Sequence, residues 1–141
     1  MAKISGFVYC LNAERITAPG GKGEMTNAVG IVSTIMPEYV PGAFSFSIVF
    51  SIIDFDVSSN NTIRIVFGDD LDKKMVDSGE ITLNIPVVDT QIDIPDSYKG
   101  ANLCMDMRNV VFEREGVYTT TVLFNNKEIG RYGIYVKGRN K

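Results

Sequence analysis

The stretch AFSFSIVFSIID, residues 43–54, decides the fold class. A bulky apolar side chain recurs at every second position from Phe44 to Ile52, and serines fill most of the places between. A β-strand sends alternate side chains to opposite faces, so this run offers a continuous apolar face to a core and a mostly hydroxylated face to water. It predicts a long central strand of an antiparallel sheet.

The same two-residue period recurs along the chain. In NTIRIVFG, residues 61–68, the side chains of Ile63, Ile65 and Phe67 share one face. The turn-rich DVSSNN precedes this run, so the two segments predict a hairpin. Near the end, GVYTTTVLFNNKEIGRYGIYVK contains two alternating runs around NNKE, which predicts a second hairpin.

Further strands are predicted in KISGFVYCL, AVGIVSTIM, GEITLNIP and ANLCMDMRNVVF. In the last of these, Met105 and Met107 are expected to fill the core. No segment holds a helical period, and DLDKKMVDSG is the only candidate for a turn of helix. Seven to eight strands with frequent turn signals predict an all-β, two-sheet antiparallel immunoglobulin-like sandwich.

Tyr118 bears on the immunoglobulin-like form of this prediction. It follows Gly116 by two residues at the start of the penultimate strand. That is the place of the corner tyrosine of such sandwiches, whose hydroxyl bonds to an upstream backbone group. An ordinary strand tyrosine is the alternative interpretation.

Composition bounds the function. The chain has 141 residues, 45% of them hydrophobic and 22% charged, which fits one globular domain spanning residues 1–141. It has no histidine, the commonest general base and metal ligand, and this weighs against catalysis. A net charge of −3 without a basic cluster argues against binding to a nucleic acid duplex.

Location is also constrained. The N-terminal apolar run is too short for a signal peptide and no stretch is long enough to span a bilayer, so we expect a cytoplasmic protein. Cys10 and Cys104 form no CxxC motif and are expected to be reduced, part-buried thiols. The basic end of the chain, residues 137–141, is expected to be a solvated tail.

The glycine-rich loop at residues 17–27 is a candidate binding site through Gly20, Gly21, Lys22 and Gly23. It is not a phosphate-binding P-loop, because no Ser or Thr follows the lysine and the next element is a strand. A mobile connector, a partner-contacting loop and a backbone nest for an anion stay open.

Acidic clusters and exposed aromatics are the remaining candidates. DFDVSSNN lacks the glycine and glutamate of a calcium loop, and GDDLDKK is charge-balanced, so both are expected to be surface turns without a metal. Tyr132 and Tyr135 fall on opposite faces of the last strand. One of them is expected to face outward at an interface, and self-association through that strand follows if it lies at a sheet edge.

Three segments together resemble a family of small, uncharacterised bacterial and phage-borne β-sandwich proteins: SGFVYCLNAE, VGIVSTIMPEYVPGAFSFSIVFSI and MRNVVFEREGVYTTTVLFNNKEIGRYGIYV. The matching residues are Cys10, Pro37, Pro41, Phe44, Gly116 and Tyr118. The resemblance implies a β-sandwich and carries no catalytic residues. The chain departs from the family pattern between Cys10 and Val29, where a long glycine-rich loop replaces a tight turn.

These observations predict a non-catalytic binding module, not an enzyme, with no cofactor. Its partner would be another protein or a second copy of the chain, and the family resemblance implies a phage–host accessory of defence or counter-defence, or a virion-associated protein. The alternative is a small-ligand or nucleotide-binding protein that uses the glycine-rich loop, with Lys22 at its centre.

Overall fold

A computed structural model describes residues 1–17, 24–71, 73–83 and 93–140. In this part of the chain there are ten strands and no α-helix. The strands are β1 (Lys3–Thr17), β2 (Glu24–Val32), β3 (Thr34–Ile35), β4 (Gly42–Ile53), β5 (Asn61–Asp69), β6 (Lys74–Asp77), β7 (Ile81–Leu83), β8 (Gly100–Phe112), β9 (Gly116–Phe124) and β10 (Lys127–Val136). A 3-10 turn, Asp96–Tyr98, precedes β8.

The strands form two sheets that pack face to face. The first sheet has the order β2-β1-β4-β8, and the second has the order β3-β10-β9-β5-β6, with β7 also paired to β5. The described neighbours are antiparallel except for the short pair of β3 with β10. The predicted all-β sandwich is confirmed. The strands outnumber the prediction because two of them were not predicted separately: β3 lies within the run AVGIVSTIM, and β6 lies within the candidate turn of helix.

Strand β4 is central in its sheet, as predicted, and pairs with β1 on one side and β8 on the other. Phe46, Ile48, Phe50 and Ile52 are all buried against the second sheet. Burial of one such side chain contributes about 1.5–3 kcal/mol, so this face is a main source of the folding free energy. The serine face departs from the prediction, because Ser47 is also buried.

The predicted hairpin between β4 and β5 is wrong. The two strands lie in different sheets, and the chain crosses the sandwich between Ile53 and Asn61. Their apolar faces meet across the core, where the rings of Phe46 and Phe67 lie 5.3 Å apart. Two strands that each carry a bulky apolar face bury more surface face to face than side by side, and this determines the connection.

The hairpin of β9 and β10 is confirmed. Its two-residue turn is Asn125–Asn126, with φ angles of 50° and 67°. Asparagine tolerates these left-handed values better than other non-glycine residues, and the resulting turn matches the twist of the two strands. The Asn125 side chain also accepts a hydrogen bond from the backbone N–H of Thr62, which ties the turn to β5.

The candidate helical turn at residues 70–79 is wrong, because Lys74–Asp77 forms strand β6 on the edge of β5. Arg64 on β5 donates two hydrogen bonds to the Asp77 carboxylate. Arg64 and the backbone N–H of Gly79 hold the pKa of Asp77 well below its usual range. This cross-strand pair favours a sheet over the helix for the segment.

Tyr118 packs its ring on Phe67 and Phe112 in the core. Its hydroxyl donates a 2.7 Å hydrogen bond to the carbonyl of Arg114, four residues upstream. This is the kind of contact that a corner tyrosine makes. The hydrogen bond fixes the position of the segment that leads into β9.

The end of the chain is tied down rather than solvated along its backbone. The N–H groups of Lys137 and Arg139 donate to the carbonyls of Ile35 and Pro37. These bonds continue the pairing of β10 with β3, and the tail therefore helps to close one side of the sandwich.

Tyr9 is a buried polar link between the two sheets. Its hydroxyl lies 2.7 Å from the Thr120 hydroxyl on β9 and donates to the carbonyl of Tyr132 on β10 at 2.8 Å. Burial is the main cause that raises the pKa of Tyr9 to about 12. The neutral phenol is therefore the form that the fold requires.

We expect Tyr9→Phe to destabilise the fold by about 1–2 kcal/mol, because it leaves the buried Thr120 hydroxyl short of a partner. Urea unfolding at pH 7 measures the change. Tyr135→Phe, at a half-exposed site, is the matched control and should change stability by less than about 0.5 kcal/mol. Equal effects of the two variants would contradict the role of Tyr9.

The same pair predicts a pH dependence. The pKa of Tyr9 is higher in the folded chain, about 12, than its ordinary value of 10.0, so the unfolded chain loses this proton first as pH rises. The contribution of Tyr9 is complete below pH 10 and is lost as pH rises towards 12. The stability difference between wild type and Tyr9→Phe should therefore shrink between these two pH values, and a constant difference would contradict the assignment.

Candidate functional site

Of the two groups of predicted site residues, the structure describes the tyrosines Tyr132 and Tyr135. Gly20, Gly21, Lys22 and Gly23 lie outside the described residues, between the end of β1 at Thr17 and the start of β2 at Glu24. Tyr132 and Tyr135 are on β10, in the other sheet.

The two tyrosines face opposite ways, as the alternation predicts. Tyr132 turns inward and stacks on Phe7, with ring centroids 4.1 Å apart, and burial raises its pKa. Tyr135 is 48% exposed. The side of β10 that faces away from β9 is partly covered. Strand β3 pairs with it at Tyr135, and the Tyr9 hydroxyl donates a hydrogen bond to the backbone carbonyl of Tyr132.

The outer half of the β1–β2 hairpin forms a two-stranded ribbon, residues 11–17 and 24–31. Strand β1 pairs with β4 only as far as Cys10, and beyond that point its ladder partner among the described strands is β2. Both strands of the hairpin contact β8, although β2 and β8 are at opposite edges of the sheet. In a flat sheet these edges would be about 14 Å apart, so the ribbon must bend over β4 towards β8.

A single contact fixes the direction of this bend. The Arg15 guanidinium lies 3.9 Å from the Cys104 sulfur. Across β4, Cys104 lies at the same level of the sheet as Val8. Val8 precedes Arg15 on β1 by seven residues. Seven extended residues span about 23 Å, so Arg15 reaches Cys104 only if the ribbon folds back over the outer face of the first sheet.

Polar groups lie beneath the ribbon. The Cys10 thiol and Ser47 are buried there, and the Ser47 hydroxyl donates a 2.6 Å hydrogen bond to Asp106. Burial raises the pKa of the Cys10 thiol. This effect outweighs that of the nearby backbone N–H groups, which lower the pKa. Cys10 is therefore a neutral thiol at pH 7, a poor nucleophile.

The two cysteines cannot form a disulfide with each other in this fold. Cys10 is on β1 and Cys104 is on β8, and β4 lies between the two strands. Strands two places apart are separated by about 9.5 Å, beyond the Cα spacing that a disulfide tolerates. Both are free thiols, as predicted.

The ribbon has a covered face and an exposed face, and on the exposed face apolar side chains stand among the polar ones of Asn12, Glu14 and Asn27. Ala13, Thr26 and Ala28 are half-buried. The exposed residues that form what we call the apolar strip are Ile16, Met25, Val29 and Ile31, exposed by 41%, 40%, 41% and 66%.

An apolar groove of about 370 Å³ lies where the ribbon leaves the sandwich. Its apolar lining comes from Leu11 and Val32 at the base of the ribbon and from Met36 and Phe44. Its polar residues are Thr34, Glu38 and Arg139, the last on the C-terminal tail. The sequence did not predict this groove, because its residues come from separate segments that only the fold brings together.

The acidic turn around Asp56 is closed by its own side-chain hydrogen bonds. Asp56 accepts hydrogen bonds from Ser58 and Ser59 within its own turn, which lowers its pKa. It borders an open cleft of about 510 Å³, which also includes Asp54 and Lys99. Among the described residues no three His, Cys, Asp or Glu side chains group as metal ligands would.

Within the described ranges, no helix is long and apolar enough to cross a membrane.

Gly30 allows the ribbon to bend. Its φ angle is 71°, and a Cβ built on it would lie 3.0 Å from Leu11 Cδ1. A glycine inside a β-rich run is the one sequence signal for this bend, because such a glycine often marks a kink or a close approach.

We expect Gly30→Val to destabilise the fold by about 1–3 kcal/mol, because a β-branched residue is strained at positive φ. Loosening of the ribbon should expose Cys10, so a thiol reagent should label it faster in a Cys104→Ser background. Gly133→Ala is the control, since its Cβ would make only an ordinary 3.5 Å contact with Val117. Unchanged labelling in Gly30→Val would contradict the covering role of the ribbon.

Comparison with known proteins gives a family but no function. The model of a family of unknown function, DUF6941, matches residues 10–137. Among proteins with curated functions, none matches the sequence.

Two solved structures share a distant similarity. They are crystal structures of beta-glucosidase from Listeria innocua, in complex with glucose and with isofagomine. The first has 10% sequence identity and a TM-score of 0.42 over 75% of this chain and 15% of that chain. The second has 8% identity and a TM-score of 0.37 over 72% and 14%. The chain thus spans a small part of these proteins, and a similarity this low carries no argument about function.

Proposed function

We propose that this chain, which belongs to the DUF6941 family of unknown function, is a non-catalytic binding module that takes a protein partner in its apolar groove. The observation that carries the proposal is the groove itself. Leu11 and Met36 line it and stay 49% and 41% exposed in the single chain. Apolar side chains left open to water in a concave site gain free energy when a partner covers them.

The chemistry of the lining supports binding rather than catalysis. Four of the seven lining residues are apolar, and the charged ones are Glu38 and Arg139. An apolar floor with a few polar groups is typical of a site that anchors a side chain of a partner and orients it. The partner side chain best suited to this volume is a large aliphatic or aromatic one.

An immunoglobulin-like scaffold and a phage–host setting are part of the same proposal. The Tyr118–Arg114 contact and the order β10-β9-β5 opposite β1-β4-β8 support the immunoglobulin-like form. The sequence resemblance to bacterial and phage-borne sandwiches supports an accessory of defence or counter-defence, or a virion-associated protein. Binding surfaces on such rigid scaffolds commonly lie at loops and sheet margins, as the groove does.

A comparative pull-down from cells of the source organism, with mass spectrometry, tests the binding role. We expect Met36→Glu to reduce the captured partner at least tenfold relative to wild type, because it places a charge on the apolar lining. Leu71→Glu is the matched control, since Leu71 is 72% exposed on a turn of the second sheet and should leave capture unchanged. Equal capture by all three proteins would contradict the role of the groove.

Thermal-shift measurements with nucleotides and cyclic dinucleotides separate this proposal from ligand binding at Gly20–Gly23. A ligand at 100 times its dissociation constant stabilises a protein by about 2.7 kcal/mol. We expect no such shift. A shift that is lost in Lys22→Ala, with capture unaffected by Met36→Glu, would overturn the groove proposal in favour of the ligand-binding one.

A further inference from the structure

The C-terminal tail, residues 137–140, borders the groove and contributes Arg139 to its lining. On one side the tail is bonded to the segment that supplies Met36 and Glu38 to the same lining. The Arg139 N–H donates to the Pro37 carbonyl at 2.9 Å. The position of Arg139 in the groove therefore depends on how firmly the tail is held.

The other side of the tail lies beyond the end of its partner strand. The N–H groups of an extended chain point alternately to its two sides, so that of Gly138 points to the side opposite that of Arg139. Strand β9 lies on that side, but its ladder with β10 ends at the pair of Gly116 with Val136. Gly138 is buried, and a buried N–H requires an acceptor.

Glu115, the residue directly before β9, supplies this acceptor. Its carboxylate Oε2 accepts the Gly138 N–H at 2.9 Å. In a continued ladder Arg114 would lie opposite Gly138, but the Arg114 carbonyl accepts the Tyr118 hydroxyl at 2.7 Å. A hydrogen bond to a carboxylate is stronger than one to a neutral acceptor. The side chain of Glu115 thus takes the place of the missing strand.

We propose that Glu115 is a positioning residue for the groove, which holds the tail so that Arg139 forms part of the partner site. The corner fixed by Tyr118 is thereby connected to the groove. The tail is also closely packed, since a Cβ built on Gly138 would lie 3.2 Å from the backbone nitrogen of Val40. This inference rests on the proposed binding role of the groove and adds a residue that lies outside its lining.

Hydrogen exchange of the full chain, resolved by NMR for single amides, tests the hold on the tail without a partner. In Glu115→Ala we expect the amide protons of Gly138 and Arg139 to exchange about tenfold faster, because the tail opens more often. The Arg139 amide is decisive. It bonds to Pro37, so it reports release of the tail rather than loss of the Glu115 bond alone. Unchanged exchange at Arg139 would overturn the proposal.

Two further variants separate this hydrogen bond from general effects of substitution. Glu115→Gln keeps an oxygen acceptor, so it should restore most of the slow exchange. Glu113→Ala removes a neighbouring carboxylate that pairs with Lys73 at 3.3 Å, and it should leave the tail unchanged. Both glutamates are exposed, so the variants should fold, and circular dichroism checks this. Equal acceleration in Glu113→Ala and Glu115→Ala would show that the hydrogen bond is not the cause.

Partner capture tests whether the held tail serves binding. We expect Glu115→Ala to lower capture at least about threefold, with recovery in Glu115→Gln and no change in Glu113→Ala. Faster exchange at Arg139 with undiminished capture, while Met36→Glu abolishes capture, would overturn the positioning role and keep the groove. Unchanged capture in both Met36→Glu and Glu115→Ala would instead remove the proposed function, and the exchange result alone would then decide whether Glu115 holds the tail.

Discussion

The packing of the aromatic face of β4 against β5 and β9 is the constraint on which the rest of the structure depends. Phe46 contacts Phe67 and Phe112, and Tyr118 completes the cluster from β9. Because these faces must meet across the core, β4 and β5 are in different sheets, and the chain crosses the sandwich between them. The order of the other strands follows, since β1 and β8 pair with β4 while β9 pairs with β5.

The outer face of the first sheet is also covered in part, although it does not face the second sheet. Cys10 and Ser47 are on the face that points away from the core, yet both are buried. They are covered by the chain itself, since the ribbon folds back over β4 and reaches β8. Gly30 permits this bend through its positive φ. Several apolar side chains of the ribbon remain exposed, among them Ile16, Met25 and Ile31.

Function in this protein is therefore expected at the margins of the sandwich. The core is closed by the Tyr9 link between the sheets and by the C-terminal tail, which pairs with the segment after β3. The groove lies where β2 leaves the first sheet and the chain passes to β3 in the second.

The sequence by itself determined the fold class, the apolar face of β4 and the β9–β10 hairpin. These are local properties: a two-residue period assigns each side chain to a face, and Asn125–Asn126 specifies its own turn. Tertiary structure alone decided that β4 and β5 face each other, that residues 74–77 form a strand and that the ribbon folds over Cys10. These features depend on burial between segments that are far apart in the sequence. The two-residue alternation shows which face of a strand is apolar, but it does not show which other strand packs against that face. The groove has the same origin, because Leu11, Phe44 and Arg139 meet only when both sheets are assembled.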